Sequence, residues 1–462
     1  MEYHNPYPSF QSGAPFLDEG RRILLQRISE YSCQQPPNNL DIHGLPEIGK
    51  STLLRYVAGP HYLEGHGREW LTGEFRAEPH RLFRFYVSGW VPSTHPFIRL
   101  SEVFYRAYDE YAHQMAQNQP GFPLPPLSPP SPAEMRSADE VLARLEHDIQ
   151  VLNRHRIRPV MLIDDFDQAF GQLDIHQTAR FGNWKEYCAL FFATERRLED
   201  VNAAAKGSPL FKRLPQFRYN ALLPAEAETF LNRPLQDTNV TFPAADVALV
   251  IQLAGGFPFL LLQAGEVLWE IRRHQTLLAE GNKPLPSGTR QLLTARLAQT
   301  FQRSFELYYY YLSSEQREAL HEVARADTLN LSAIKAQLHI QLSGLQAFGL
   351  VNFLPGGTVR LFSPLLSDFV KAQETPARLP GPSAGLTTSQ QDLYTYFRRR
   401  PGQLLTFRQL GRDLWTGDEA WEPTEQDKRK IHIAVSRLRK HLGEGEQIVS
   451  VRRQGYRYDA VG

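Results

Sequence analysis

Gly44, Gly49, Lys50 and Ser51 fall in the run Gly44-Leu45-Pro46-Glu47-Ile48-Gly49-Lys50-Ser51. That spacing of glycine, glycine-lysine and hydroxyl suits phosphate binding. Backbone N–H groups can close on phosphate oxygens only where no Cβ blocks the approach. Gly44 lets the chain leave a strand sharply, and Gly49 brings the backbone to the phosphates at a helix N-terminus. Lys50 supplies charge for the β- and γ-phosphates, and the Ser51 hydroxyl is placed to ligate Mg²⁺, with Thr52 beside it in the same turn. The pattern also arises by chance in long chains, so its flanks matter. Leu40-Asp41-Ile42-His43 reads as a preceding strand, and Thr52 to Val57 has helical apolar spacing. The run reads as a P-loop, and ATP or ADP is the ligand expected.

A second run supports it. Val160-Met161-Leu162-Ile163 is apolar and leads into Asp164 and Asp165. At the end of a buried strand, Asp164 would hold Mg²⁺ through water and Asp165 would polarise the attacking water. The plain alternative is a core strand ending in an acidic turn.

The elements that must position these groups alternate. Leu40–His43, Phe83–Val87, Val160–Ile163 and Ala189–Phe192 read as strands of a parallel α/β sheet, with Phe217–Asn220 closing it. The proline-dense stretch 118–132 reads as an exposed loop. From Pro224 the pattern turns helical, with one helix stopping at Gly255-Gly256 and the next running from about Phe259 to His274. Further helices, then two short strands around Pro355-Gly356-Gly357, outline a winged helix. The fold expected is an α/β P-loop ATPase domain (parallel sheet with flanking helices), a helical lid, a winged-helix domain and a separate C-terminal winged helix-turn-helix domain. The boundaries expected are 1–36 for an N-terminal segment, 37–221 for the ATPase domain, 222–290 for the lid, 291–372 for the winged helix, 373–388 for a linker and 389–462 for the last domain.

With these motifs the chain resembles the STAND branch of AAA+ and NACHT-like signalling ATPases. Ala189 to Arg196 is similar to that group's sensor strand, which implies that Thr194 and Arg196 sense the γ-phosphate. Gly256-Phe257-Pro258 is similar to its GxP motif, which implies that Pro258 packs on the base; proline also simply favours a first helical position. Asn5-Pro6-Tyr7 with Gly20-Arg21 is similar to the family's N-terminal base-binding segment, although the Gly-Arg spacing departs from it. Origin-recognition-type AAA+ proteins usually carry an arginine after the lid glycines, where Phe257-Pro258-Phe259 stands here. That favours a slow, Mg²⁺-dependent ATPase used as a switch over a motor.

In the last domain, Ile431, Val435, Leu438 and Leu442 fall at i, i+4, i+7 and i+11, one buried stripe of a helix from about Lys428 to Leu442. Arg429, Ser436, Arg437 and Lys440 project opposite, with Lys430 beside them, a face that can enter a major groove. Arg452 and Arg453 sit at the tip of a following hairpin, within reach of phosphates. A basic helix face is often only solvated. Val435 to Gly443 with Gly455-Tyr456-Arg457-Tyr458, and Leu404 to Leu410 as a first helix-turn segment, resemble the OmpR/PhoB-type winged-helix DNA-binding domain.

The formal net charge of +1 makes any basic surface local. Cys33 and Cys188 are the only cysteines, with no CxxC or His/Cys cluster, which argues against a disulfide scaffold or a zinc site. No apolar run approaches the roughly 20 residues of a membrane span. A cytoplasmic, possible nucleoid-associated protein is expected, with DNA as partner, nucleotide-dependent self-association, and a protein partner that brings the signal or an effector. The function expected is an ATP/ADP-binding switch controlling DNA binding, a transcriptional regulator. The alternative is a STAND-like ATPase subunit of a genome-defence or mobile-element system.

Overall fold

A computed structural model describes residues 5–7, 18–90, 94–130, 137–202, 207–211, 214–236, 238–274, 283–373, 393–394, 396–397, 404–411, 423–439, 442, 446–451 and 455–460. The chain divides into two compact units, Met1–Gln373 and Glu374–Gly462.

The first unit is built on a parallel sheet of β1 (Leu40–His43), β2 (Leu82–Val87), β3 (Arg158–Asp164), β4 (Ala189–Thr194) and β5 (Gln216–Arg218), in the order β2-β3-β4-β1-β5. β3 is buried along its whole length, as a central parallel strand must be. Its side chains alternate. Val160 and Leu162 join the core under α1 (Glu19–Cys33) and α2 (Lys50–Ala58), while Met161 and Ile163 join the core under α3 (Pro96–Asn118) and α4 (Ala138–Arg154). Ser137 starts α4 with a capping box to Glu140. β4 lies between β3 and β1, so its end separates the acidic strand from the P-loop strand: Asp164 pairs with Ala193, and His43 with Thr194.

Helices α5 (Ile175–Asn183), α6 (Pro224–Asn232), α7 (Ala244–Ala254) and α8 (Pro258–His274) follow, the last three forming the lid. Arg272 of α8 and Asp246 of α7 form a fully buried ion pair at 2.7 Å, and Asp246 also accepts the Leu285 N–H at 3.0 Å. The long helix α9 (Ser287–Tyr311) leads to α10 (Ser314–Ala326), β6 (Leu329–Asn330), α11 (Ala336–Ala347), β7 (Val351–Leu354), β8 (Thr358–Leu361) and α12 (Pro364–Ala372). β6, β8 and β7 make a three-stranded antiparallel sheet, the wing side of the first winged helix.

In the second unit, β9 (Leu404–Thr406), α13 (Phe407–Gly411), α14 (Glu425–Arg439), β10 (Glu446–Val451) and β11 (Gly455–Ala460) enclose a core of their own. Ile431, Val435 and Leu438 are fully buried in it, each contributing about 1.5–3 kcal/mol relative to exposure. Two expectations change here. Leu404-Leu405-Thr406 is a strand on β11 rather than part of a helix-turn segment, because Thr406 ends it by capping α13 with Gln409. α14 begins at Glu425 rather than near Lys428, because Thr424 and Asp427 form a reciprocal cap.

Candidate functional site

Gly49 caps α2 at φ 102°, a left-handed conformation suited to glycine, and no side chain caps the helix. Its first-turn N–H groups are therefore placed to meet an anion. A Cβ on Gly44 would stand 2.6 Å from the Tyr219 carbonyl oxygen, so this turn also needs glycine. Lys50 is buried, and its ammonium donates to the Gly44 and Leu45 carbonyls at 2.8 and 2.9 Å, so it lies across the loop. Ser51 and Thr52 follow in the first turn of α2, half-buried and exposed respectively.

Behind the loop stands Arg21. Its guanidinium donates to the Ile48 carbonyl at 3.3 Å, lies 4.7 Å over the Tyr219 ring, and pairs with Asp18, the cap of α1. The Gly-Arg pair that resembles a base-binding segment thus braces the P-loop. Tyr7 packs its ring on Gly265 of the lid and donates its hydroxyl to the Leu231 carbonyl at 2.7 Å.

Glu195, Asp164, Asp167 and Asp165 are the carboxyl groups acting on the Lys50 charge. Burial pulls the Lys50 ammonium below its ordinary range, and these four oppose that. Asp164 accepts from the Tyr86 hydroxyl and, at 3.1 Å, from the Asp165 N–H, and its carbonyl accepts the Trp90 indole N–H at 2.6 Å. Asp165 adopts φ 51°. Burial, with Asp164 and Asp167 nearby, pushes its carboxyl up to about 6. Burial also raises Asp167 and Glu195. Burial leaves the charges of Asp165, Asp167 and Glu195 poorly solvated, and a bound divalent cation would offset that. Among the described residues no three His, Cys, Asp or Glu side chains converge as a metal cage. Mg²⁺ does not need one, since it is commonly held by one or two protein oxygens plus phosphates. Asp167 and Glu195 were not among the residues singled out by motif; their signal was only acidity beside a known strand end.

Thr194 is fully buried, and its hydroxyl donates to Asp41 Oδ1 at 3.0 Å. The Leu198 N–H donates to Asp41 Oδ2 at 3.1 Å, and burial pushes the Asp41 carboxyl up to about 6. Arg196 is exposed and lies 5.6 Å over the Tyr311 ring of α9. Pro258 opens α8. Next to it, Gly256 accepts the Leu222 N–H at 2.8 Å and has no room for a Cβ, which would stand 2.0 Å from the Leu222 carbonyl oxygen. A groove of about 1170 Å³ runs between this lid segment and the first winged helix, lined by Arg218, Asn220, Arg360 and Asp368 among others, apart from the P-loop.

On α14, Lys430 and Ser436 are exposed on the side away from the core. The side chains of Arg429 and Arg437, and residues Lys440, Arg452 and Arg453, lie outside the described residues. Arg439 is held back from that face, donating to the Ile448 carbonyl at 2.9 Å and to Ser450 at 2.8 Å. Ile433 is 48% exposed amid the polar positions, an apolar side chain that a pattern of basic residues does not reveal. No helix among the described residues is long and apolar enough to cross a membrane.

A protein-family model described as "Transcriptional regulatory protein, C terminal" matches residues 381–458. Among solved structures, the chain is similar to the Walker-type ATPase of Pyrococcus abyssi, at 14% identity and TM-score 0.50, over 77% of this chain and 96% of that one. It is also similar to the ORC2 protein of Aeropyrum pernix in its ADPNP-ADP complexes, at 13% identity and TM-score 0.47, over 78% of this chain and 94% of that one. A search of curated proteins finds no match. The first unit has the P-loop ATPase fold, and the second is a winged-helix domain of the transcriptional-regulator C-terminal family.

Proposed function

We propose that this chain is an ATP/ADP-binding switch that couples nucleotide state to DNA binding, a transcriptional regulator of the STAND-like signalling type. One observation carries the reading: the buried Lys50, lying across its loop with its ammonium on the Gly44 and Leu45 carbonyls, sits on the same chain as a transcriptional-regulator winged helix. The Gly44–Thr52 backbone and Lys50 would bind the phosphates, and Pro258 would border the base. Ser51 and Asp164 would hold Mg²⁺, which when bound supplies charge neutralisation at the phosphates. Asp165 would orient and polarise water, with Thr194 and Arg196 at the γ-phosphate end. Hydrolysis is slow in this reading, as a switch requires. Arg429, Lys430, Ser436, Arg437, Lys440, Arg452 and Arg453 would contact DNA.

The test is DNA affinity and molecular mass of the purified full chain, each measured apo, with ADP and with an ATP analogue plus Mg²⁺. The switch predicts different DNA affinities, and a mass change would reveal nucleotide-dependent self-association. Identical DNA binding in all three states rejects it. Lys50→Ala should weaken nucleotide binding by about 100-fold, the scale of a lost buried charged hydrogen-bonding group.

The first winged helix favours a protein partner. Its α11 carries no lysine or arginine and leaves Ile340 63% exposed, which suits a protein surface better than phosphates. This supports the second reading, an ATPase subunit of a genome-defence or mobile-element system. A co-purifying effector with no discrete footprint on DNA would favour it.

A further inference from the structure

We propose that Tyr311, the last residue of α9, is the positioning residue that reports the state of the P-loop site to the first winged helix; this rests on reading the first unit as a nucleotide site. Its hydroxyl donates to the Glu195 carbonyl, directly after β4. The Glu195 N–H in turn donates to Asp167 Oδ2 at 3.4 Å, and both acids belong to the set acting on Lys50. Arg196 covers one side of the Tyr311 ring at 5.6 Å. The ring also meets Phe348 edge-on, at 5.4 Å and 84°. Phe348 terminates α11 and leads through Gly349 into β7. One ring therefore joins the loop at the acids to the end of α11 in the first winged helix.

The rest of α9 presents the same face to the P-loop. Ser304, Tyr308 and Tyr311 are spaced i, i+4 and i+7, and so lie on one side of the helix. Ser304 and Tyr308 are buried against Glu47, a P-loop residue at φ 61°. Both segments that flank the site thus rest on one helix face. A ligand shifts a conformation only through contacts that differ between its two states. Lys50 donates to the Gly44 and Leu45 carbonyls, so an anion in the P-loop would draw its ammonium from them and change the charge that Glu195 and Asp167 meet. Tyr311 holds that loop by its backbone, and a rigid ring has few ways to absorb the change other than through Phe348.

The experiment uses the full chain and the Tyr311→Phe and Tyr311→Ala variants. Amide hydrogen exchange over residues 336–354 is measured apo, with ADP and with an ATP analogue plus Mg²⁺, alongside nucleotide affinity and melting temperature. Wild type should show a nucleotide-dependent exchange difference in that segment. Tyr311→Phe, which keeps the ring and loses the bond to Glu195, should reduce the difference at least about two-fold while nucleotide affinity stays within about three-fold, a coupling loss without a binding loss. Tyr311→Ala should abolish it. An unchanged difference in Tyr311→Phe, or no difference in wild type that binds nucleotide, overturns the proposal. Wild type that binds no nucleotide overturns the underlying site reading instead, and the affinity measurement separates the two. Lower stability alone would move the melting temperature but not the nucleotide-dependent part of the exchange.

Discussion

The Thr194 hydroxyl, at the end of β4, donates a 3.0 Å hydrogen bond to Asp41 on β1, two residues before the strand gives way to the P-loop. The side chain placed by resemblance at the γ-phosphate therefore also holds a buried carboxyl in the neighbouring strand. Thr194→Val should cost about 1–3 kcal/mol, the range for a buried acceptor losing a donor. The lost bond stabilises the ionised carboxyl, so the deficit should be larger at pH 8 than at pH 5. Urea unfolding at the two pH values checks this. Equal loss of ATP and ADP affinity would mark a structural role, and selective loss of ATP affinity a sensing one.

Asp165 gives a pH signature. Its folded value of about 6 lies above the ordinary 3.8, so the folded state favours the protonated form. The resulting stabilisation is fully present below about pH 4 and is lost as pH rises through about 6. Asp165→Asn should remove that loss. Relative to the variant, wild type without metal should become less stable by about 1 kcal/mol between those limits, discounted from the full shift because the group is partly exposed. Asp41 titrates in both proteins, so the difference isolates Asp165. Mg²⁺ with nucleotide should narrow the gap at pH 7.

The lid depends on Arg272 and Asp246. Arg272→Met should destabilise the first unit by about 3–5 kcal/mol, because Asp246 is left charged in a dry site. Replacing both with apolar residues should recover most of that loss. Chemical denaturation of the single and double variants tests it.

On α14, Arg437→Ala should weaken DNA binding and flatten its salt dependence by about one unit of slope if the contact is to phosphate. ATP affinity should be unchanged, and equal loss of both would contradict a two-module protein. Ile433→Asn probes the apolar position on the same face. A change in preferred sequence with little change in salt slope would assign Ile433 to base contact.

Much of this was legible in local pattern. The glycines and Lys50 follow a spacing that backbone geometry demands, and Ile431, Val435 and Leu438 follow the helical period. What was not legible lies between elements. Arg21 reaches the Ile48 carbonyl across sequence from another helix, and the Glu195 N–H reaches Asp167 only because β4 lies beside β3. Leu404 to Thr406 looks like the start of a helix until β11 pairs with it. Strand order and tertiary hydrogen bonds have no short-range signature, so motif spacing singled out the glycine-lysine loop and missed what braces it.

The apolar core that begins at Leu24 and Ile28 beneath the sheet continues through Phe230, Leu253 and Leu261 of the lid to Leu342, Val359 and Leu366 of the first winged helix. Heat has no weak seam to open within that stretch, so sheet, lid and wing should melt as one cooperative body. The second unit has its own core and supplies a second transition. A calorimeter would then record nucleotide binding as an upward shift of the first unit's peak.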